Sequence, residues 1–224
     1  FPSSAVWGKN NEKPAILIVL VNPRAGGLLI SGPRGIGKST LMRSTQELIE
    51  RPWRDIPVSV TEDRLFGTID TEKAIYSGQK KLYPGIINEA DQGVLYLDDA
   101  NLLREDLLDF ILNIAEVGAY QLERDGLSLR CDTSFTVIAA INPESGMLSG
   151  ACLDQFGLFV NVDNIHDENT RVEILKRTIS FEKDCASFCK LWKLENEKIK
   201  KAIHSAMSLL PKVVVSSATI QVAS

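Results

Sequence analysis

The residues best suited to chemistry in this 224-residue chain lie between Gly32 and Thr40, where the sequence reads GPRGIGKST. The stretch fits the phosphate-binding pattern G-x-x-x-x-G-K-[ST] in full. Its glycines allow successive backbone N–H groups to turn toward a phosphate, and Lys38 adds a point charge for the β- and γ-phosphates. The Ser39 hydroxyl is the expected ligand of Mg²⁺. The candidate nucleotide-binding residues are Gly32, Gly35, Ile36, Gly37, Lys38, Ser39 and Thr40.

The alternative to a phosphate-binding loop is a glycine-rich turn that ends in Lys-Ser by chance, and the flanking sequence disfavours it. The apolar run 28–30 predicts a strand before the loop, and the stretch from Thr40 to Glu50 predicts a helix after it. That helix would turn the positive end of its dipole toward a bound anion. The sequence therefore predicts a site for a nucleoside triphosphate.

Two acidic residues follow the apolar run 94–97. Four apolar residues in a row are typical of a strand buried on both faces, and so of an interior strand of a parallel sheet. Ligands of open α/β sheets bind at the C-terminal ends of such strands. Asp98 is therefore the candidate for holding Mg²⁺ and its hydration shell, and Asp99 for polarising the attacking water. A pair of solvated acids that closes a strand is the alternative.

Asn142 follows another predicted strand, Phe135 to Ile141. Its amide could orient the water or sense the γ-phosphate, because the C-terminal ends of parallel strands face one crevice. The alternative is that Asn142-Pro143 only begins a turn. The candidate catalytic residues are thus Asp98, Asp99 and Asn142, and the candidate metal ligands are Ser39 and Asp98.

The other predicted elements alternate between helix and strand along the chain. Asn10 or Asn11 is expected to cap a helix that Asn22-Pro23 ends, and Asp125-Gly126 predicts the turn of a hairpin. Further elements are a helix over 102–117 with one apolar side that includes Phe110, a strand over 158–162, and helices over 169–191 and 195–210.

Composition limits the class of protein. Hydrophobic residues make up 44% of the chain, enough for a sizeable core, and a net charge of −4 argues against a broad nucleic-acid-binding surface. The longest apolar run, Ala15 to Val21, is far shorter than a membrane span. No signal peptide is recognised, so we expect a cytoplasmic protein. Because Phe1 is not an initiator Met, we expect the stretch to be a fragment.

The four cysteines lack C-x-x-C spacing, and the two histidines lie in no ligand cluster. Cys185 and Cys189 are four residues apart in a predicted helix, so they share a face and could form half of a metal site. Ordinary reduced cysteines are the expectation for these positions.

Several further stretches resemble the small AAA+ motor subunit of magnesium chelatase. They are TEDRLFGTID at 61–70, LYPGII at 82–87, GVLYLD at 93–98, NLL at 101–103 and NPE at 142–144. Their order and spacing extend the resemblance from Phe1 to about Pro211. The resemblance implies an α/β fold, a P-loop AAA+ three-layer core with a mainly parallel sheet and a partial C-terminal helical lid. The implied division is a core over 1–165, with a hairpin insertion at about 119–131, and an incomplete lid over 166–224.

The same resemblance implies an activity and partners. It implies ATP and Mg²⁺ as cofactors, a ring oligomer with six subunits, and ATP hydrolysis between neighbouring subunits. The implied partners are further copies of this chain, a second AAA+ subunit and a large chelatase subunit that inserts Mg²⁺ into a porphyrin; no nucleic acid and no membrane span are expected.

Three departures from the family pattern bear on catalysis. The family usually has Glu where this chain has Asp99, and it has the finger arginine where this chain has Gln155. Such an arginine can contribute roughly 10³ to 10⁵ in rate, so we expect slow hydrolysis. Arg124 and Arg171 fall where the family also carries Arg and could act in trans, although surface pairing is the preferred interpretation. The chain also ends near the place expected for the second sensor arginine of the lid.

Two other functions fit the same residues. A nucleotide-binding regulatory subunit with little intrinsic hydrolysis would explain the altered acid and finger. A chaperone-like ATPase of the MoxR type would act on protein partners instead of a chelatase.

Overall fold

The computed structural model describes residues 1–8, 12–69, 82–124 and 127–214. In chain order the strands are β1 (Leu28–Ser31), β2 (Trp53–Ile56), β3 (Gly67–Ile69), β4 (Leu82–Pro84), β5 (Val94–Leu97), β6 (Ala119–Arg124), β7 (Leu127–Asp132), β8 (Thr136–Ile141) and β9 (Leu158–Asn161). The α-helices are α1 (Glu12–Val21), α2 (Lys38–Thr45), α3 (Glu62–Phe66), α4 (Ile86–Glu89), α5 (Glu105–Val117), α6 (Gly150–Asp154), α7 (Glu168–Lys183) and α8 (Cys185–Leu209).

The fold is organised by a five-stranded parallel sheet with the strand order β2-β5-β8-β1-β9. The register pairs Ser31 with Ile141 and Leu97 with Ala139, so β1, β5 and β8 end at one edge of the sheet. Residues that follow these three strands therefore lie together. The parallel α/β sheet predicted from the sequence is confirmed, and β5 and β8 are interior strands as expected.

Helices cover both faces of the sheet, which gives three layers. Alternate residues of each interior strand point to opposite faces, so both faces must be covered when every position is apolar. One face packs against α3 to α6, with Leu95 and Val137 next to Leu107 and Ile111 in a single apolar cluster. The other face packs against α1 and α2 through the buried side chains Leu20, Leu28, Leu41 and Met42.

The C-terminal helices α7 and α8 lie outside the sheet and hold the N-terminal segment, residues 1–8. The Phe1 ring lies 5.1 Å from the Phe181 ring and 5.3 Å from the Phe188 ring, while the Ser4 N–H donates to Asn196 Oδ1 at 2.9 Å. Aromatic pairs at these distances contribute beyond their buried area. The helical lid is therefore present and is tied to the start of the chain. The division of the chain at residue 165 stays a prediction.

Two small antiparallel sheets complete the fold. Strands β3 and β4 form one pair, which the local sequence did not reveal. Strands β6 and β7 form the expected hairpin, in which Ala119 pairs with Asp132. The turn residues predicted for this hairpin, Asp125 and Gly126, lie outside the described residues, as do the predicted helix caps Asn10 and Asn11.

Several predicted boundaries were wrong. Helix α2 begins at Lys38, before Thr40, and a tighter 3-10 turn over Gln46–Leu48 replaces its last turn. The C-terminal helices meet at Asp184, whose side chain accepts a hydrogen bond from the Ser187 N–H and so begins α8. Phe110 lies on the predicted apolar side of α5 but is 58% exposed, and its ring meets the Phe66 ring edge-on at 6.2 Å.

No helix in the described ranges is both long and apolar enough to cross a membrane.

Candidate functional site

The loop between β1 and α2 has an open backbone that suits a phosphate. Gly35 and Gly37 have φ of +79° and +83°, a region that favours glycine, and a Cβ at either position would meet no atom within 4 Å. Gly32 is different, because a Cβ there would lie 2.6 Å from the Val162 carbonyl oxygen. Glycine is thus needed for packing at the base of the loop and for backbone conformation at its tip.

Lys38 is the first residue of α2 and is almost fully buried. Its Nζ donates to the Gly32 carbonyl oxygen at 2.6 Å and to the Pro33 carbonyl oxygen at 2.8 Å. The ammonium group is therefore held inside the curve of the loop that carries the glycines. A cation at this place, at the N-terminus of a helix, makes the loop attractive to an anion.

Ser39 and Asp98 meet at the edge where β1 and β5 end. The Ser39 hydroxyl donates to Asp98 Oδ1 at 3.1 Å, and the buried Tyr96 hydroxyl donates to the same oxygen at 3.0 Å. Burial, followed by the charge of Asp98, raises the pKa of Tyr96, so its hydroxyl stays a donor at neutral pH. The structure thus brings together the two predicted metal ligands, which are 59 positions apart in the sequence.

These two side chains suit Mg²⁺ chemically. Both offer oxygen, and Mg²⁺ is usually held by one or two protein oxygens together with substrate phosphates and water. Within the part of the chain that the structure describes, no group of three or more His, Cys, Asp or Glu side chains could hold a metal ion alone. Ser39 and Asp98 are the described pair that could hold such an ion together with a bound nucleotide.

Asp99 follows Asp98 in an uncommon backbone conformation. Its φ of 50° and ψ of 48° lie in the left-handed region, where Asp and Asn are the side-chain-bearing residues found most often. Its carbonyl oxygen accepts from the Leu102 N–H, which begins the short turn Ala100–Leu102. Such conformations cluster at functional sites.

Asn142 follows β8 and is only 1% exposed. Its Oδ1 accepts from the Glu144 N–H at 3.2 Å, and its Nδ2 donates to Ser145 Oγ at 3.2 Å. The side chain therefore caps the turn after β8, as the alternative interpretation of Asn142-Pro143 anticipated. The turn is also held by Asn101, whose Nδ2 donates to the Asn142 and Gly146 carbonyl oxygens at 3.0 and 2.9 Å. Sequence reasoning about the site did not single out Asn101.

A cavity of about 610 Å³ adjoins the phosphate-binding loop. It lies between the tip of the loop, the N-terminal segment and helix α7. Its lining includes Gly35, Gly37 and Thr40 from the loop side, and Trp7, Ile174 and Phe181 from the other sides. A mainly apolar cavity of this volume is of the size that small ligands and cofactors fill.

The residues that bear on the missing finger arginine lie in different parts of the structure. Gln155 directly follows α6, its Nε2 donates to the Ala151 carbonyl oxygen at 3.4 Å, and it does not line the cavity beside its own loop. Arg171 does line that cavity, and the expected surface ion pair of Arg171 is not formed with any described residue. The Arg124 side chain lies outside the described part of the chain.

The cysteines are all free. Cys185 and Cys189 share a face of α8, with their Sγ atoms 4.0 Å apart, as their spacing predicted.

The site also contains two residues that sequence reasoning missed, Trp7 and Arg177. The Arg177 guanidinium carbon lies 4.5 Å from the centre of the Trp7 ring, a contact across 170 positions that no local pattern could reveal.

Comparison with known proteins identifies a matching family and similar relatives. Residues 27–155 match the family described as the AAA domain, dynein-related subfamily. The chain is 35% identical to the magnesium-chelatase 38 kDa subunit of Rhodobacter capsulatus, over 95% of this chain and 70% of that relative. It is 31% identical to the magnesium-chelatase subunit ChlI of a Synechocystis species, over 96% of this chain and 71% of that relative.

A solved structure is also similar to this chain. The chain superimposes with a TM-score of 0.69 on a chain from the complex between subunits BchI and BchD of magnesium chelatase, a structure based on single-particle cryo-electron microscopy. The two are 35% identical, and the match covers 95% of this chain and 76% of that chain. The chain thus shares its overall fold with a protein that is 35% identical to it in sequence.

Proposed function

Because the chain belongs to the AAA domain family, and within it to the family of the small magnesium-chelatase subunit, we propose that it binds ATP with Mg²⁺ and couples ATP hydrolysis in a ring oligomer to the remodelling of a metal-chelatase partner. The observation that carries the proposal is the Ser39 hydroxyl at 3.1 Å from Asp98 Oδ1, beside the glycine-rich loop. A Mg²⁺–nucleotide complex needs these two oxygens next to a phosphate cradle.

Each candidate residue has a role in this proposal. The residues 32–40 bind the phosphates, and Lys38 exchanges its contacts with the loop carbonyl oxygens for contacts with phosphate oxygens. Ser39 and Asp98 hold Mg²⁺, which neutralises charge on the phosphates when bound. Asp99 polarises the attacking water, and Asn142 orients it after leaving the hydrogen bonds that now cap its turn.

The ring oligomer is part of the proposal because Gln155 does not line the cavity beside the loop of its own chain. In an assembly of six subunits, Gln155 would approach the nucleotide of a neighbour. A glutamine donates a hydrogen bond but has no charge, so it replaces only part of the effect of a finger arginine. We therefore propose slow intrinsic hydrolysis, with a second AAA+ subunit and a large chelatase subunit as the partners.

A second function fits the same site, because Gln155 and Asp99 both favour it. In that function the chain is a nucleotide-binding regulatory subunit, in which ATP controls assembly and little ATP is hydrolysed. Its nucleotide site would be the same, and only its turnover would differ.

The experiment that separates the two functions is steady-state phosphate release from ATP and Mg²⁺, measured over a series of protein concentrations beside calorimetric nucleotide binding. The Lys38→Ala variant is the control, since it removes the charge and keeps the glycines. Turnover per subunit that rises with concentration supports the motor. Tight binding without turnover at any concentration supports the regulatory subunit, and absence of binding contradicts both.

A further inference from the structure

Two cysteines lie on one face of helix α8 at its start. Cys185 is the first residue of the helix and Cys189 lies one turn later, with their Sγ atoms 4.0 Å apart. Cys185 is exposed, Cys189 is half-buried, and neither forms a disulfide. The two sulfurs are thus a reduced pair at the surface of the lid.

The separation of the two sulfurs suits a shared metal ion. Two zinc–thiolate bonds of about 2.3 Å that meet at the tetrahedral angle put their sulfurs about 3.8 Å apart. The 4.0 Å between Cys185 Sγ and Cys189 Sγ is close to that value. A small adjustment of the side chains therefore brings both sulfurs to bonding distance of one ion.

The same geometry disfavours a disulfide within the pair. A disulfide brings its two Cβ atoms to about 3.5–4.5 Å, whereas residues four apart on a helix have their Cβ atoms about 5–6 Å apart. The pair could form a disulfide only if the first turn of α8 opened. That turn is well held, because Asp184 Oδ1 accepts from the Ser187 N–H at 3.0 Å and the Asp184 carbonyl oxygen accepts from the Phe188 N–H at 3.0 Å.

The turn that carries the pair is also fixed by aromatic packing. Phe188 lies between the two cysteines in the sequence and is only 6% exposed. Its ring lies 5.3 Å from the Phe1 ring and 5.7 Å from the Phe181 ring, distances at which aromatic pairs stabilise each other. The backbone that carries the two thiols is therefore positioned before any ion arrives, which lowers the entropy cost of binding.

We propose that Cys185 and Cys189 form a binding site for one thiophilic divalent cation of the zinc class. Thiolate sulfur is a soft ligand that selects such ions, whereas Mg²⁺ prefers oxygen. Each thiol gives up its proton to solvent when it binds. The two thiolates then balance the charge of the ion, and the step needs no oxidant.

The rest of the coordination shell is open in this site. Among the residues that the structure describes, no third Cys, His, Asp or Glu side chain completes a metal-binding group with the pair. Cys189 also lines a cleft of about 250 Å³ beside Glu47 and Asn196, which has room for water molecules. Structural zinc sites have four protein ligands, so an ion held by two thiolates and water is an exchangeable one.

The inference is independent of the proposed function, since neither cysteine lines the cavity beside the phosphate-binding loop. The test uses the whole reduced chain without nucleotide. Zn²⁺ binding is measured by calorimetry and Co²⁺ binding by absorption spectroscopy, for the wild-type chain, Cys185→Ser and Cys189→Ser.

Two controls make the test specific. The first combines Cys189→Ser with Lys190→Cys, which keeps all four thiols of the chain but moves one of them off the shared face of the helix. The second, Asp98→Asn, reports whether the ion enters the proposed Mg²⁺ site instead. Thermal unfolding without metal checks that each variant folds.

We expect one ion per wild-type chain, with a sulfur-to-cobalt charge-transfer band and the strong visible bands of four-coordinate Co²⁺. Each single serine variant and the combined variant should lose at least about tenfold in Zn²⁺ affinity, because one thiolate no longer reaches the ion. Asp98→Asn should bind Zn²⁺ as the wild type does. Wild-type affinity in the combined variant, absence of the charge-transfer band, or one ion shared by two chains would overturn the site. Loss of binding only in Asp98→Asn would overturn it as well, because the ion would then lie at the nucleotide site.

Discussion

The hydroxyl of Ser39, at the start of α2, donates to Asp98 Oδ1, at the end of β5, over 3.1 Å. This contact joins the phosphate-binding loop to the first of the two acids that follow β5. A Ser39→Ala variant keeps the loop backbone and removes one Mg²⁺ ligand. We expect its affinity for Mg²⁺–ATP to fall about tenfold, while its affinity for metal-free ATP changes little. Calorimetry with and without Mg²⁺ checks this, and equal losses under both conditions would contradict the metal role.

Asp99 should separate binding from hydrolysis. The Asp99→Asn change keeps the size of the side chain and suits the left-handed backbone, since Asn is also tolerated there. It removes the negative charge needed to polarise water. We expect unchanged nucleotide affinity and a turnover reduced by about 100-fold or more. A variant that hydrolyses ATP at the wild-type rate would show that Asp99 is only a solvated acid.

Gln155 should limit the rate. The Gln155→Arg change supplies the charge that the family pattern has at this position, on a helix end where the side chain is only partly buried. We expect turnover to rise at least about tenfold at protein concentrations that support assembly. Phosphate release measured over a concentration series provides the test. A ring no faster than the wild type would count against the finger position.

Asn101 should hold the turn that carries Asn142. In Asn101→Asp, an acceptor replaces the Nδ2 group that now donates to two carbonyl oxygens of that turn. The resulting repulsion should displace Asn142 and lower turnover more than Asn101→Ala does, with little effect on nucleotide affinity. Loss of unfolding free energy of about 1–3 kcal/mol is expected for both variants. Wild-type turnover in both variants would argue that the Asn101 donor has no positioning role.

Tyr96 should make stability depend on alkaline pH. Its folded-state pKa is raised above the ordinary value of about 10, mainly by burial, so its contribution to stability is complete below that pH and is lost as the pH rises further. In Tyr96→Phe this loss cannot occur. Denaturant unfolding of both proteins from neutral pH upward should therefore show a stability difference that shrinks above pH of about 10. A constant difference would mean that the hydroxyl ionises normally in the folded chain.

Much of the fold could be predicted because its signals are local. The interior strands are continuous apolar runs, and the loop carries its glycines at fixed spacing, so strand, loop and helix were placed within a few residues. Boundaries were less secure where a single side chain decides them. Asp184 ends one lid helix and begins the next by capping the Ser187 N–H, which the helical pattern around it does not reveal.

Exposure on an amphipathic helix was also hard to predict. Phe110 falls on the apolar side of α5 by periodicity, but it is 58% exposed, and its ring and the Phe66 ring form an edge-to-face pair. A side chain at the border of the apolar face is buried only if another element packs against it. That element comes from a distant part of the sequence, so the helical periodicity does not reveal it.

The sequence by itself determined the chemistry: a phosphate-binding loop, a pair of acids after an apolar strand, and an amide after another apolar strand. These depend on residue type and short spacing, which a chain carries in any conformation. The tertiary structure alone decided which of them meet. The sheet order places Ser39 beside Asp98, and the packing of residues 1–8 against α7 and α8 places Trp7 over Arg177 beside the loop. Such contacts depend on the order in which strands and helices pack, because partners far apart in sequence are brought together only by burial of the surfaces between them.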